Sequence, residues 1–186
     1  MTCIVGLIDK GAVYMGADSC GADNDFAYQI RVDAKLFQRG PFLIGYTTSF
    51  RMGQLLRWKL PHIKIPEKMD VHEFMCTKFI DSVRTTLNKG GFSKRVEERE
   101  EAGQFIVGFQ NRLFEVGSDY QVGECVRGYA ACGTGRDLAL GSLWTTGSPE
   151  YLVGIKPPME RLKLALSAAE AGNAAVRSPF LILKAK

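Results

Sequence analysis

An α+β fold is the prediction for this 186-residue chain, and three features of the sequence carry it. Short apolar strands come in pairs joined by tight turns, helical segments also come in pairs, and the two kinds of pair are segregated along the chain. The order reads strands, two helices, strands, two helices, a strand, which is not the strand–helix alternation of a parallel sheet. The length suits a single domain over residues 1–186, large enough to bury a real core.

Each element has its own signature. Cys3 to Ile8 and Ala12 to Ala17 are apolar runs around Asp9-Lys10-Gly11, where glycine suits a hairpin turn. A polar, less regular stretch runs from Asp18 to Asp33. Lys35 to Gln38, the turn Arg39-Gly40-Pro41 and the run Phe42 to Gly45 form a second hairpin. Phe50 to Leu60 is helical, and Pro61 stops it. Asp70 caps a longer helix with Val71, Phe74, Met75, Phe79, Val83 and Leu87 at helical spacing, ended by Gly90-Gly91. Lys94 to Glu101, KRVEEREE, is expected to be a solvated loop or frayed helix end. Gln104 to Gln110 and Arg112 to Gly117 flank Asn111 as a hairpin. Gly128 to Cys132 leads through Gly133-Thr134-Gly135 into a helix, a second helix spans about Pro158 to Ala171, and Phe180 to Leu183 is the last strand.

Composition removes several classes of function. With 46% apolar and 24% charged residues the chain is an ordinary globule, and no apolar run approaches the roughly 20 residues of a membrane helix. Asp9 and Lys10 interrupt the first apolar run, so no signal peptide is expected. A net charge of +4 with dispersed Lys and Arg argues against nucleic acid as a partner. The five cysteines contain no CxxC pair and are expected to be reduced, buried thiols in a cytoplasmic protein. The two histidines, His62 in LPHIKIP and His72 near a helix start, form no metal pattern, so neither a metal nor another cofactor is expected. Gly133-Thr134-Gly135 before a helix could cradle a phosphate, but it lacks the lysine and spacing of a P-loop.

The opening stretch MTCIVGLIDKGAVYMGADS poses the chemical question. An apolar strand begins at Cys3, where a chain end would ordinarily fray. Removal of Met1 makes Thr2 the first residue. Its α-amine, with a pKa of about 7.7–8.0, can then take the proton of its own hydroxyl, so base and nucleophile share one residue and no histidine is required. Asp18 ends the second strand, which the hairpin returns beside the first. Lys35 beside Asp18 would keep the amine neutral and a developing oxyanion stable, and Gly45 could present a backbone N–H to that oxyanion. Cys3 points away from the Thr2 side and reads as core.

These residues, in this order, resemble the proteasome β-subunits and the HslV-type peptidases, both N-terminal-nucleophile hydrolases. The resemblance covers most of the chain. It rests on Thr2-Cys3-Ile4-Val5-Gly6, GAD ending in Asp18, KLFQ from Lys35, IGYTTS from Ile44, FIVGF from Phe105, and YAACGTGRDLALGSL. It implies a four-layer αββα sandwich of two antiparallel sheets flanked by helix pairs. It also implies Thr2 as nucleophile, Asp18 and Lys35 as the charged pair tuning it, Gly45 as oxyanion donor, and Thr134 beside the amine in place of the usual serine. Asn173 stands where the family has an aspartate, and Val176 where many members have a serine. With Met1 alone ahead of Thr2, methionine removal would replace propeptide cleavage. Homo-oligomeric rings enclosing the sites, a polypeptide substrate and an ATP-dependent unfoldase as partner are further implications. A non-cutting shell subunit and an amidase for small amides stand as the alternative functions. Cleavage preference is expected to depend on the loops from Cys20 to Ile30 and on Leu43.

Overall fold

A computed structural model describes residues 2–22, 28–96, 99–149 and 156–185. Nine strands form two antiparallel sheets among the described residues. The first has the order β12-β1-β2-β13, from β1 (Cys3–Asp9), β2 (Ala12–Ala17), β12 (Tyr129–Gly133) and β13 (Leu181–Lys184). The second runs β11-β10-β9-β6-β5, from β5 (Leu36–Arg39), β6 (Phe42–Tyr46), β9 (Phe105–Phe109), β10 (Arg112–Val116) and β11 (Val122–Glu124). Helices cover the outer faces. They are α1 (Phe50–Trp58), the run α2 (Val71–Phe74) and α3 (Ile80–Lys89) joined by a π-helical turn Met75–Phe79, then α4 (Arg136–Gly147) and α5 (Pro158–Gly172).

Period-two alternation explains the layering. Along β1, Cys3, Val5 and Leu7 pack with Leu143, Leu162 and Leu166 of α4 and α5, whereas Ile4 packs with Leu43 and Ile106 of the facing sheet. Along β6, Leu43 faces that same inter-sheet core, while Phe42, Ile44 and Tyr46 pack with Leu55, Phe74 and Phe79 of the other helical layer. Both faces of these strands are buried, so they read as unbroken apolar runs rather than alternating ones. Three apolar cores thus separate four layers, αββα.

The turns follow their chemistry. Lys10 and Gly11 both take positive φ between β1 and β2, and Gln110 and Asn111 do so between β9 and β10, as two-residue hairpins require. Ser49 caps α1 through the Arg51 N–H, and Asp70 caps α2 through the N–H groups of His72 and Glu73.

Three features differ from the sequence expectations. The polar stretch after Asp18 holds a small hairpin, β3 (Cys20–Ala22) with β4 (Tyr28–Ile30). KRVEEREE is neither a loop nor a helix end, because its two arms pair as β7 (Lys94–Val96) and β8 (Arg99–Glu101). Its Glu100 pairs with Arg84 of α3 at 2.9 Å, a cross-element contact that charge counting along the sequence cannot show. β11, a three-residue edge strand, carries too short an apolar pattern to be read. No helix among the described residues is long and apolar enough to cross a membrane.

Candidate active site

Register brings the first residues together. Ile4 pairs with Ala17, so the Asp18 side chain lies opposite Cys3. Asp18 Oδ1 accepts from the Cys3 N–H at 3.0 Å and from Lys35 Nζ at 2.8 Å. Oδ2 accepts from the Cys20 N–H at 2.9 Å and the Arg177 N–H at 3.4 Å. The Cys3 N–H belongs to the peptide group that follows Thr2. One carboxylate therefore clamps the backbone that follows Thr2 and holds the lysine beside it. Thr2, Asp18 and Lys35 are only 4%, 2% and 2% exposed. A buried ion pair is tolerated when further donors saturate its oxygens, and here three backbone N–H groups do so. Burial pushes the Lys35 ammonium below its ordinary pKa, and the Asp18 charge opposes that shift.

The other side of Thr2 is built by β12 and the turn after it. Cys3 pairs with Gly133, and the Gly135 N–H donates to the Thr2 carbonyl at 3.3 Å. Thr134 Oγ1 accepts from the Thr2 N–H at 3.3 Å. Gly133 adopts φ +96°, and a Cβ there would stand 2.2 Å from the Thr2 carbonyl oxygen and 3.2 Å from Thr47 Cγ2. Only glycine fits between these strands.

Gly45 is the correction. The residue lies inside β6, paired with Leu36 on one side and Ile106 on the other, so its backbone is committed to the ladder. A Cβ there would meet Ile4 Cγ2 at 2.6 Å and Met15 Cε at 3.1 Å. Its smallness serves close approach of the two sheets. The turn beside Thr2 comes two residues later. The Thr47 N–H and hydroxyl both donate to the Gln104 carbonyl at 3.0 Å, and Thr48 takes φ +67° ahead of the Ser49 cap. Left-handed backbone at a threonine is costly, since its β-branch crowds the chain. The glycine in IGYTTS draws attention away from the threonine that makes the turn.

Asn173 closes α5 and reaches the same turn from behind. Its Nδ2 donates to the Thr134 carbonyl at 3.0 Å, and its Oδ1 accepts from the Ala175 N–H at 2.9 Å. The residue acts on Thr134 and through it on Thr2. Aspartate here would set a carboxylate against a carbonyl, so the amide is what this arrangement takes. Arg177 escaped sequence reading. Its guanidinium donates to the carbonyls of Val176 at 2.8 Å and Asn173 at 3.1 Å while its N–H reaches Asp18, tying the end of α5 to the carboxylate.

Cys3 stays a thiol: burial, aided by the Asp18 charge, raises its pKa to about 12. Leu43 lies wholly buried between the sheets. Residues 23–27, part of the loop expected to set preference, and Met1 lie outside the described residues.

No family model and no curated protein matches the sequence. Solved structures do match the fold. The chain is similar to BPH from Thiobacillus denitrificans in complex with Epoxomicin, at 15% identity and TM-score 0.76, covering 98% of this chain and 97% of that one. It is similar to eukaryotic HslV from Trypanosoma brucei at 16% identity and TM-score 0.68, covering 98% of each. Anbu (ancestral beta-subunit) from Yersinia bercovieri matches at 13% identity and TM-score 0.63, covering 98% and 80%. With two antiparallel sheets between helical layers and a first strand beginning at Cys3, this chain has the N-terminal-nucleophile hydrolase fold of the proteasome-type subunits.

Proposed function

We propose that the chain is a threonine endopeptidase whose nucleophile is Thr2, unmasked by removal of Met1. The observation that carries this reading is the clamp at Asp18, where the peptide group after Thr2 and the Lys35 ammonium share one buried carboxylate oxygen at 3.0 and 2.8 Å. A surface threonine needs no such support.

The chemistry follows from the parts. The freed α-amine takes the proton from Thr2 Oγ1 as that oxygen attacks the carbonyl carbon of the scissile peptide. Lys35 favours the neutral amine and stabilises the negative charge that develops on the substrate oxygen. In this reading the oxyanion donor is the Thr48 N–H, which lies outside both the β6 ladder and α1. The amine then passes its proton to the leaving nitrogen, the peptide bond breaks, and an ester to Thr2 remains. Water, deprotonated by the same amine, hydrolyses the ester and returns the proton to Thr2 Oγ1. Thr134, held by Asn173, orients the amine through its hydroxyl.

Family resemblance extends the proposal to homo-oligomeric rings that enclose the sites, a polypeptide substrate, an ATP-dependent unfoldase as partner, and a cytoplasmic location. Trp58 and Met159, 70% and 52% exposed, are apolar surface that such assembly would cover.

Intact mass before and after treatment with epoxomicin, with which a structural neighbour is recorded, tests the reading. The expected result is a chain beginning at Thr2 that gains one adduct, lost in Thr2→Ala. A processed chain without adduct and without peptidase activity would overturn it and leave the non-cutting shell subunit. Labelled monomers that cleave only small amides would favour the amidase.

A further inference from the structure

A second ion pair lies close to Lys35, against the same aromatic ring, and has no part in the proposed chemistry. Arg31 follows β4 and runs between β3 and the start of α1. A Cβ on Gly21 would stand 2.5 Å from Arg31 Cδ and 3.4 Å from Phe50 Cε2, so the three residues meet at one place. The Arg31 guanidinium lies over the Phe50 ring at 4.0 Å, and Lys35 Nζ lies 5.9 Å from the same ring. Phe50 in turn meets Tyr46 edge-on at 6.1 Å. The aromatic ring next to Lys35 therefore also carries the Arg31 cation.

Asp33 fixes that cation. Arg31 Nε and Nη2 donate to the two carboxylate oxygens, each at 2.7 Å. A guanidinium has five N–H groups, and this fork uses two of them. Nη1 has no partner among the described residues. The pair is also reachable, with Arg31 and Asp33 side chains 33% and 37% exposed. Charge does not balance here. Arg57, which donates to the Ala34 carbonyl at 2.5 Å, brings a second guanidinium close enough to act on both Asp33 and Tyr46. Arg57 thus adds a second positive charge near the Arg31–Asp33 pair, while Lys35 and Asp18 cancel.

We propose that Arg31, oriented by Asp33 and stacked on Phe50, receives an acidic substrate side chain, so that the chain cleaves after glutamate or aspartate. The inference rests on the peptidase reading. A carboxylate on the residue whose carbonyl Thr2 attacks would meet the free Nη1 edge as a charge-assisted hydrogen bond. A cationic side chain would be repelled by the Arg31 and Arg57 guanidiniums.

The test compares kcat/KM for acetyl-Ala-Ala-Ala-X-aminomethylcoumarin with X as Glu, Gln, Leu or Lys, on protein shown by mass to begin at Thr2. Glu should exceed its isostere Gln by about tenfold or more, the fold-change one charge-assisted hydrogen bond carries. Arg31→Met keeps the apolar stem and should bring the Glu-to-Gln ratio to about one, with epoxomicin labelling of Thr2 retained. Asp33→Asn, which leaves the guanidinium uncompensated, should raise the ratio. A wild-type ratio near one, or the same ratio in a folded, labelled Arg31→Met, would overturn the subsite while leaving the peptidase intact. No cleavage of any peptide together with no Thr2 label overturns both.

Discussion

At the scale of single residues, the Asp18–Lys35 pair is the most consequential contact in the chain. Removing one member, as in Asp18→Ala or Lys35→Ala, leaves a buried charge unmatched and should cost about 3–5 kcal/mol, read as a lower midpoint in urea. The double variant Asp18→Asn/Lys35→Met should regain most of that stability and still fail to label at Thr2, which separates the pair's catalytic role from its structural one. pH dependence carries a definite sign. The buried Lys35 has a pKa below its ordinary 10.5, so between that depressed value and 10.5 the unfolded chain binds more protons than the folded one. Stability from this group rises with pH through that window, and the gain disappears in Lys35→Met. Cys3 opposes it: with a pKa raised from 9.0 to about 12, its contribution is full below 9.0 and is lost between 9.0 and 12. Urea titrations of wild type and Lys35→Met at pH 8 and pH 10 measure the difference. Asn173→Asp should weaken the Thr134 contact by exchanging a donor for a carboxylate, slowing Thr2 labelling more than it lowers stability. Thr2, Asp18 and Lys35 stood out in the sequence because their residue types suggest acid–base chemistry, and the structure brings the three together. Thr48 and Arg177 did not, because the turn at Thr48 is a backbone feature and Arg177 reaches Asp18 only after α5 has folded back.

Elements decide how tightly those residues are held. The β1–β12 pairing is the sensitive joint, because Gly133 stands at φ +96° against the Thr2 carbonyl. Gly133→Ala meets a left-handed penalty of about 1–2 kcal/mol and a backbone collision besides. We expect loss of stability with abolished labelling, measured by thermal unfolding and intact mass. Gly45→Ala should behave differently. It crowds Ile4 and Met15 between the sheets and should cost about 1–3 kcal/mol, yet the turn at Thr48 stays intact and labelling of the folded fraction should persist. The hairpins β1–β2, β5–β6 and β9–β10 were plain in the sequence because turn residues and apolar runs are local signals. The β3–β4 and β7–β8 hairpins were hidden because each strand is only three residues long, too short for a pattern, and β7–β8 is held by a long-range contact of Arg84 with Glu100.

Across the whole molecule, four layers leave three of the five cysteines inside. Native protein treated with a thiol reagent near neutral pH should be modified at Cys76 and Cys125 and not at Cys3, Cys20 or Cys132, as peptide mapping would show. Sedimentation of the processed chain should give a particle far larger than 20.6 kDa if rings form. By itself the sequence determined that the chain is α+β, which hairpins build it, and that Asp18 returns beside the start of the first strand, with Thr2 and Lys35 as the candidate residues there. Period and turn chemistry act over a few residues, and strand pairing carries Asp18 back to Cys3. Only the tertiary structure decided that Gly45 serves packing, that Thr48 makes the turn beside Thr2, that Asn173 grips Thr134, and that Arg31 stands over Phe50. Those roles depend on which faces meet across the sheets and between β3 and α1, and no spacing along a chain specifies that.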